Sequence, residues 1–357
     1  MELHELRALI GRHALNGEVP IGDSAVIASV DRPGSPEFSM TGTMVVLLAQ
    51  GAKRLAVGDQ VYTYRAGQSL VTSVDLPTTG HFIEASRDTP ALGFALTLKP
   101  GLIADLLLHP AASGLPRFGS RAAAPRGIMV DDAPDELVEA ITRMVRLLDR
   151  PRDLAVLAPL VEREITWLVL GGPRGAAVSQ LGLADSRLSR VAQAVRWLRE
   201  HYAESVRVDE LARMTQMSPS AFHRSFQAVT SLSPIQFQKQ LRLQEARVRL
   251  LADHHDIAGI AHAVGYESPS HFSRDYKRRF GASPLHDAER FHAAATSGLP
   301  TPQSRNGPMT LDRSPDAGLA AVRAGDDRVD EAPRTGIAAG ERRFDVAPTG
   351  FEPALPP

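Results

Sequence analysis

The sequence predicts an α+β protein of two domains, an antiparallel β-rich domain followed by an all-α one. Three observations carry that prediction. Short apolar runs broken by Gly, Pro, Asp or Asn fill residues 24–98, the apolar spacing turns helical from Asp135, and residues 186–292 contain a repeat with a period of 50.

Taken in order, Met1 to Ile10 carries Glu2, His4, Glu5 and Arg7 among its apolar residues, which breaks the apolar core an export signal needs. The runs Ala25–Val30, Met44–Ala49, Leu70–Val74 and Leu92–Leu98 read as strands. Gly58-Asp59, between Lys53-Arg54-Leu55-Ala56 and the alternating Val61-Tyr62-Thr63-Tyr64, reads as a hairpin turn. A sandwich or barrel of about 100 residues is the natural product. Leu137, Ile141, Met144, Val145 and Leu148 then share one helical face, and Leu157, Val161, Ile165 and Leu168 another, with Pro151 between them. These stripes serve either as core or as a face for a second subunit in a homodimer. Gly171-Gly172-Pro173-Arg174-Gly175 opens a stretch to Ser186 that reads as an interdomain linker. The longest apolar run, Leu154 to Val161, is eight residues and contains Pro159, far short of the roughly 18 to 20 that span a bilayer. The expectation is a soluble cytoplasmic protein with no membrane partner. At the end, Ala293 to Pro357 holds 9 Pro and 7 Gly without periodicity, which predicts a disordered tail.

The repeat aligns Ser218-Pro219-Ser220 with Ser268-Pro269-Ser270, Phe222 with Phe272, Arg224 with Arg274, Phe226 with Tyr276, and Ser233-Pro234 with Ser283-Pro284. Each Ser-Pro pair sets a capping hydroxyl before a proline suited to the first helical position, so helices are expected to start near 219, 234, 269 and 284. Shorter helices are expected over Val208–Met214 and Ile257–Val264, the latter capped by Asp256 and closed by Gly265. A short helix, a tight turn and a second helix make a helix-turn-helix. In each second helix the aromatic pair faces the core. Ser220, His223, Arg224 and Gln227 lie opposite in the first copy, and Ser270, His271, Ser273, Arg274 and Lys277 in the second. With Arg278 from the basic run Lys277-Arg278-Arg279, these are the candidate readers of double-stranded DNA, because a guanidinium forks to guanine and hydroxyls or imidazoles bond base edges and phosphates.

Charge agrees with this. The chain carries a net −1, yet residues 186–292 hold 16 Lys+Arg against 11 Asp+Glu, a local +5. The absence of cysteine excludes disulfides, thiolate metal sites and thiol nucleophiles. Within residues 24–98, His81 stands without a second histidine, so no metal and no cofactor are expected. Tyr62, Tyr64, Arg65 and His81 are the candidate effector contacts, and Asp75 before Leu76-Pro77 reads as a turn residue. His254-His255 reads as a pair of solvated loop histidines.

The run from Gly265-Tyr266-Glu267 through Ser283-Pro284 resembles the double helix-turn-helix domain of the AraC family of transcription regulators. Asp287 and Ala288, where relatives carry an aromatic and a basic residue, and Arg207, where they carry a small polar cap, depart from it. Upstream, Gln50-Gly51-Ala52-Lys53-Arg54-Leu55, Tyr62-Thr63-Tyr64-Arg65-Ala66-Gly67, Ser73-Val74-Asp75-Leu76-Pro77 and Ala85-Ser86 resemble the AraC-type N-terminal regulatory domain. The resemblance implies a cupin-like β-barrel with C-terminal helices at 1–170 for sensing an effector or dimerising, a linker at 171–186, a DNA-binding domain at 187–292 and the tail from 293. It also implies a transcription regulator with DNA, a small-molecule effector and RNA polymerase as partners, and no catalysis. The alternative is a cupin-type enzyme with an appended DNA-targeting domain. Repair of alkylated DNA by cysteine chemistry, known in some relatives of the module, is excluded by composition.

Overall fold

The computed structural model describes residues 2–15, 17–116, 126–252 and 256–296. Helix α1 (Glu2–His13) comes first, and its Leu6, Leu9 and Ile10 sit at helical spacing and are buried. Nine strands follow: β1 (Glu18–Ile21), β2 (Ala25–Val30), β3 (Glu37–Thr41), β4 (Met44–Gln50), β5 (Ala52–Val57), β6 (Gln60–Arg65), β7 (Gln68–Thr72), β8 (Leu76–Glu84) and β9 (Ala91–Thr97). Helix α2 (Pro100–Leu107) separates them from β10 (Ile128–Asp132). Helices α3 (Asp135–Arg146) and α4 (Pro151–Gly171) complete the β-rich part.

The resemblance implies a cupin-like barrel, but the strands form two separate antiparallel sheets, the sandwich that the strand pattern also allowed. One runs β1-β2-β9-β4-β7-β10 and the other β3-β8-β5-β6. A barrel requires ladder hydrogen bonds that pass continuously around the ring. Here each sheet keeps two edges, and buried side chains join the sheets instead. Gly51 makes the corner between β4 and β5 at φ +85, where an added Cβ would stand 2.5 Å from the Glu84 carbonyl oxygen. The hairpin is where the pattern placed it, with Gly58 at φ +55 in the turn.

Strands β3 and β8 escape the apolar pattern because their buried face is polar. The Thr78 hydroxyl bonds those of Thr41 at 2.7 Å and Ser39 at 3.1 Å, so buried residues there read as loop residues. On α3, Leu137, Ile141, Met144 and Val145 are core, whereas α4 leaves Val156 and Leu160 exposed. The stretch read as a linker is packed: α5 (Gly175–Ser179) lies inside it, Ala177, Val178 and Leu181 are buried, and Arg174 pairs with Asp131 at 2.6 Å. Its glycines serve a tight reversal, since a Cβ on Gly175 would overlap the Leu170 carbonyl.

The C-terminal part consists of α6 (Arg187–Glu200), α7 (Val208–Met214), α8 (Pro219–Thr230), α9 (Pro234–Ala252), α10 (Ile257–Ala263), α11 (Pro269–Phe280) and α12 (Pro284–Thr296). Phe222, Phe226 and Phe237 belong to the same continuous apolar cluster as the sheets. Tyr266, Phe272 and Tyr276 centre a second, separate cluster with Leu243 and Leu250. The expected tail beyond 296 and His254-His255 lie outside the described residues.

Candidate nucleic-acid interface

The two helix-turn-helix units are built by the same local chemistry. Ser218 Oγ accepts from the Ala221 amide and Ser268 Oγ from the His271 amide, each at 3.4 Å, so α8 and α11 start at their prolines. Ser233 and Ser283 cap α9 and α12 in the same way. Asp256 caps α10 at 2.7 Å, whereas α7 follows Arg207 without a side-chain cap. The turns match too: Met217 N donates to Ala212 O, and Tyr266 N to Ala261 O, both at 2.9 Å. The residue just before each of these donors has a left-handed backbone, Gln216 at φ 54 and Gly265 at φ 87. The same exchange recurs at the helix ends, where Ser231 at φ 58 closes α8 and Gly281 at φ 80 closes α11.

These helices bury Phe222 and Phe226, or Phe272 and Tyr276, and turn the opposite face outward. Ser220, His223, Arg224 and Gln227 are exposed on α8; Ser270, His271, Arg274, Lys277 and Arg278 are exposed on α11, with Ser273 half-buried. Arg224 and Arg274 make no hydrogen bond or ion pair among the described residues, so their guanidinium forks are available. Arg278 is drawn toward the buried carboxylate of Asp275, which also takes Lys239 at 2.5 Å. Ser270 Oγ bonds the capping Ser268 Oγ at 2.9 Å.

The C-terminal ends of both helices dock on the β-rich part. The Gly127 amide donates to Val229 O at 2.8 Å, satisfying a carbonyl at the end of α8. At the end of α11, Phe38 of β3 meets the Phe280 ring edge-on at 4.7 Å, and the Arg279 guanidinium lies 4.4 Å from the Phe38 ring centroid. Arg279 also donates to Thr79 Oγ1 and Gln240 Oε1, each at 3.3 Å. One member of the basic run Lys277-Arg278-Arg279 is therefore committed to this docking and not to phosphate. Asp75, read as a turn residue, pairs with Arg199 of α6.

The candidate effector contacts divide between the two faces of the four-stranded sheet. Tyr62 and Tyr64 point inward opposite Leu55 and Lys53, and Tyr64 is fully buried, which raises its phenol pKa. Arg65 and His81 are on the outer face. Arg65 pairs with Glu84, and burial together with Arg54 lowers the His81 pKa. The four do not converge. What the sequence reading missed is Lys53, whose alternation with Leu55 and Val57 puts it on the inner face. Among the described residues, no group of three or more His, Asp or Glu side chains is placed to hold a metal ion.

A β-rich part followed by two capped helix-turn-helix units, each with an outward polar face on its second helix, defines a two-part helix-turn-helix protein. The model of the AraC-type transcriptional regulator N-terminus matches residues 24–177, and that of a helix-turn-helix domain matches residues 211–290. The chain belongs to the AraC family of transcriptional regulators. It is 29% identical over 150 residues to the transcriptional activator RhaS of Salmonella schwarzengrund, covering 42% of this chain and 53% of that relative. It is 26% identical over 204 residues to the thermoregulatory protein LcrF of Yersinia pestis, covering 56% and 72%. The chain thus spans about half the length of RhaS. The crystal structure of ToxT from Vibrio cholerae with a bound unsaturated fatty acid aligns over 76% of this chain and 96% of that one, at 10% identity and a TM-score of 0.46. Among the described residues, no helix is long and apolar enough to cross a membrane.

Proposed function

We propose that this chain regulates transcription by binding specific double-stranded DNA through α8 and α11, and that its β-rich part senses a small molecule that biases this binding. One observation carries the reading: Arg224 and Arg274 stand at repeat-related positions on two identically capped helices, both exposed and both opposite buried aromatic anchors. The N-terminal halves of both helices carry Ser220, His223 and Arg224, or Ser270, His271 and Arg274, where recognition helices address base edges. The two units would read successive major-groove segments, about one helical turn or 34 Å apart. The domain limits 1–170 and 187–292 follow the same reading, with 171–186 as a packed connection. RNA polymerase and a second copy of the chain are the further partners, the exposed Val156 and Leu160 of α4 supporting the latter. None of these observations favours the cupin-type enzyme.

The test is oligonucleotide selection with the full chain, followed by fluorescence anisotropy across salt concentrations. Arg224→Ala and Arg274→Ala should each cost about 1–3 kcal/mol and relax specificity at one base position. Unchanged selectivity in the double variant would overturn the reading.

A further inference from the structure

The two helix-turn-helix units keep separate apolar cores, with Phe222, Phe226 and Phe237 in one cluster and Leu243, Phe272 and Tyr276 in the other. Helix α9 passes from the first core to the second. Units that share one helix but no core are free to rock about it unless something else joins them. Arg242, halfway along α9, supplies that joint. Its Nε donates to Tyr202 O at 2.7 Å, and its Nη2 to Glu204 O at 2.7 Å and Ala203 O at 3.3 Å, all in the connection between α6 and α7 of the first unit. Its Nη1 donates to Gly265 O at 2.8 Å, in the turn between α10 and α11 of the second. Four of the five guanidinium N–H groups are thus committed to backbone carbonyls, three in one unit and one in the other. A planar fork holds its acceptors at fixed angles, so the two segments are oriented as well as brought near. Gly265 lets them meet, since a Cβ there would stand 2.1 Å from Ala203 O and 2.9 Å from Arg242 Cζ. Tyr202 adds to the joint: its ring packs against both apolar clusters, and its hydroxyl accepts from Arg249 Nη2 at 3.0 Å. Gln238, one turn earlier on α9, donates to Tyr202 O at 3.0 Å and Glu204 O at 2.7 Å, both in the first unit.

We propose that Arg242 is a positioning residue for DNA recognition: by clamping the α6–α7 connection to the α10–α11 turn, it fixes the distance and rotation between α8 and α11, and so the half-site spacing that the chain accepts. The proposal rests on the reading that both helices bind DNA, and it names the residue that sets their relation. Each clamped segment leads directly into its unit. Residues 202–204 precede α7, which closes on α8 through the bond from Met217 N to Ala212 O, and Gly265 lies in the turn that delivers α11. One base pair more or less between the half-sites turns the second by about 34° and moves it by about 3.4 Å. A clamped pair of units cannot follow that change, whereas a pair hinged on α9 alone can absorb part of it by bending. Arg242 reads no base itself, because carbonyls occupy its guanidinium; it acts through Arg224 and Arg274, the outward guanidinium groups of the two units. The β-rich part holds the ends of α8 and α11 at separate points, through Gly127 and Phe38, and does not take the place of this direct link.

The experiment uses the full chain and the duplex recovered by oligonucleotide selection, with versions that gain or lose one base pair between the half-sites and versions with one half-site scrambled. Anisotropy should show the wild type binding the respaced duplexes about tenfold or more weakly, as for the loss of one base contact. In Arg242→Met that spacing penalty should shrink by about threefold or more, the scale of coupling lost with a connecting residue. Affinity for each single half-site, measured on the scrambled duplexes, should stay the same. Lost stability lowers binding to every duplex by one factor, so the penalty, being a ratio, isolates positioning. Gln238→Leu removes two bonds to the same connection but leaves the link to Gly265, and should keep the wild-type penalty. Arg242→Lys, a second variant in case Arg242→Met fails to fold, keeps the charge without the planar fork and should also relax the penalty. The proposal is overturned if a folded Arg242 variant keeps the wild-type penalty, if Gln238→Leu relaxes it equally, or if the wild type shows no penalty. Selective binding with an unchanged penalty sinks the clamp alone, whereas absence of sequence-selective binding by the wild type sinks the regulator itself.

Discussion

Arg247 of α9 and Asp287 of α12 form an ion pair at 3.0 Å, with the Asp287 side chain 5% exposed. The same carboxylate accepts from the Tyr276 hydroxyl at 2.9 Å, so one residue ties three helices of the second unit together. Asp287 is also where the sequence departs from the pattern of its relatives, and the structure shows that the departure packs the final helix. Asp287→Ala leaves the buried Tyr276 phenol without its acceptor and removes one ion pair from the partly exposed Arg247, and should destabilise the protein by about 2–3 kcal/mol. Urea unfolding monitored by circular dichroism measures this, and a loss below 1 kcal/mol, roughly the worth of an exposed pair, would contradict it.

The left-handed turn residues set up a contrast between the two copies. Gln216 and Ser231 occupy conformations that glycine holds in the second copy, so Gln216→Gly and Ser231→Gly should each be neutral or stabilising by up to about 1 kcal/mol. Gly265→Ala goes the other way. Its Cβ would stand 2.1 Å from the Ala203 carbonyl oxygen, at φ +87, and the loss should reach about 2–3 kcal/mol. Gly281→Ala has open space around the new Cβ and should lose less than Gly265→Ala in the same melting experiment.

Phe38→Ala removes the ring that holds Arg279 and Phe280 against the β-rich part. Burial there lowers the Arg279 pKa, a sign that the guanidinium is held away from water. Once released, it joins Lys277 and Arg278 as a phosphate contact, and the slope of log affinity for DNA against log salt should steepen by about one. An unchanged slope would show that Arg279 stays withdrawn without Phe38.

Stability should fall as pH rises from about 4.5 to 7. Burial raises the Glu37 pKa to about 7 from 4.5, so the unfolded chain ionises first and the folded form gives up its advantage across that window. Lys53 acts higher: its folded pKa of about 8 lies below 10.5, so stability is lost as pH falls from about 10.5 to 8. Denaturant midpoints from pH 4 to 11 should trace both slopes, with Glu37→Gln flattening the acid one and Lys53→Met the alkaline one.

The helix-turn-helix units were legible because their signals are local. A serine before a proline caps a helix wherever it lies, and aromatics four apart mark one face, so the starts at Pro219, Pro234, Pro269 and Pro284 agree to the residue. The apolar strands β2, β4, β7 and β9 were legible for the same reason. Strands β3 and β8 were not, because Ser39, Thr41 and Thr78 satisfy one another across a register that no short window contains. The family models match residues 24–177 and 211–290, in keeping with the resemblance read from the motifs. The candidate effector residues fared differently. Their types were informative, but the alternation that carries Tyr64 inward carries Arg65 outward, so proximity in sequence separated them in space.

By itself, the sequence determined the repeat, the capped helices, the exposed Arg224 and Arg274, and a basic segment hidden beneath a net charge of −1. Only the tertiary structure decided that the sheets stay open, that Arg279 is docked on Phe38 while Arg224 and Arg274 remain outward, and that Lys53 is buried on the inner face against Tyr64 and Phe82. The physical reason is range. Caps, turns and helical faces are settled within a few residues, whereas sheet closure, the burial of a charge and the availability of a guanidinium depend on what distant strands and helices place against them.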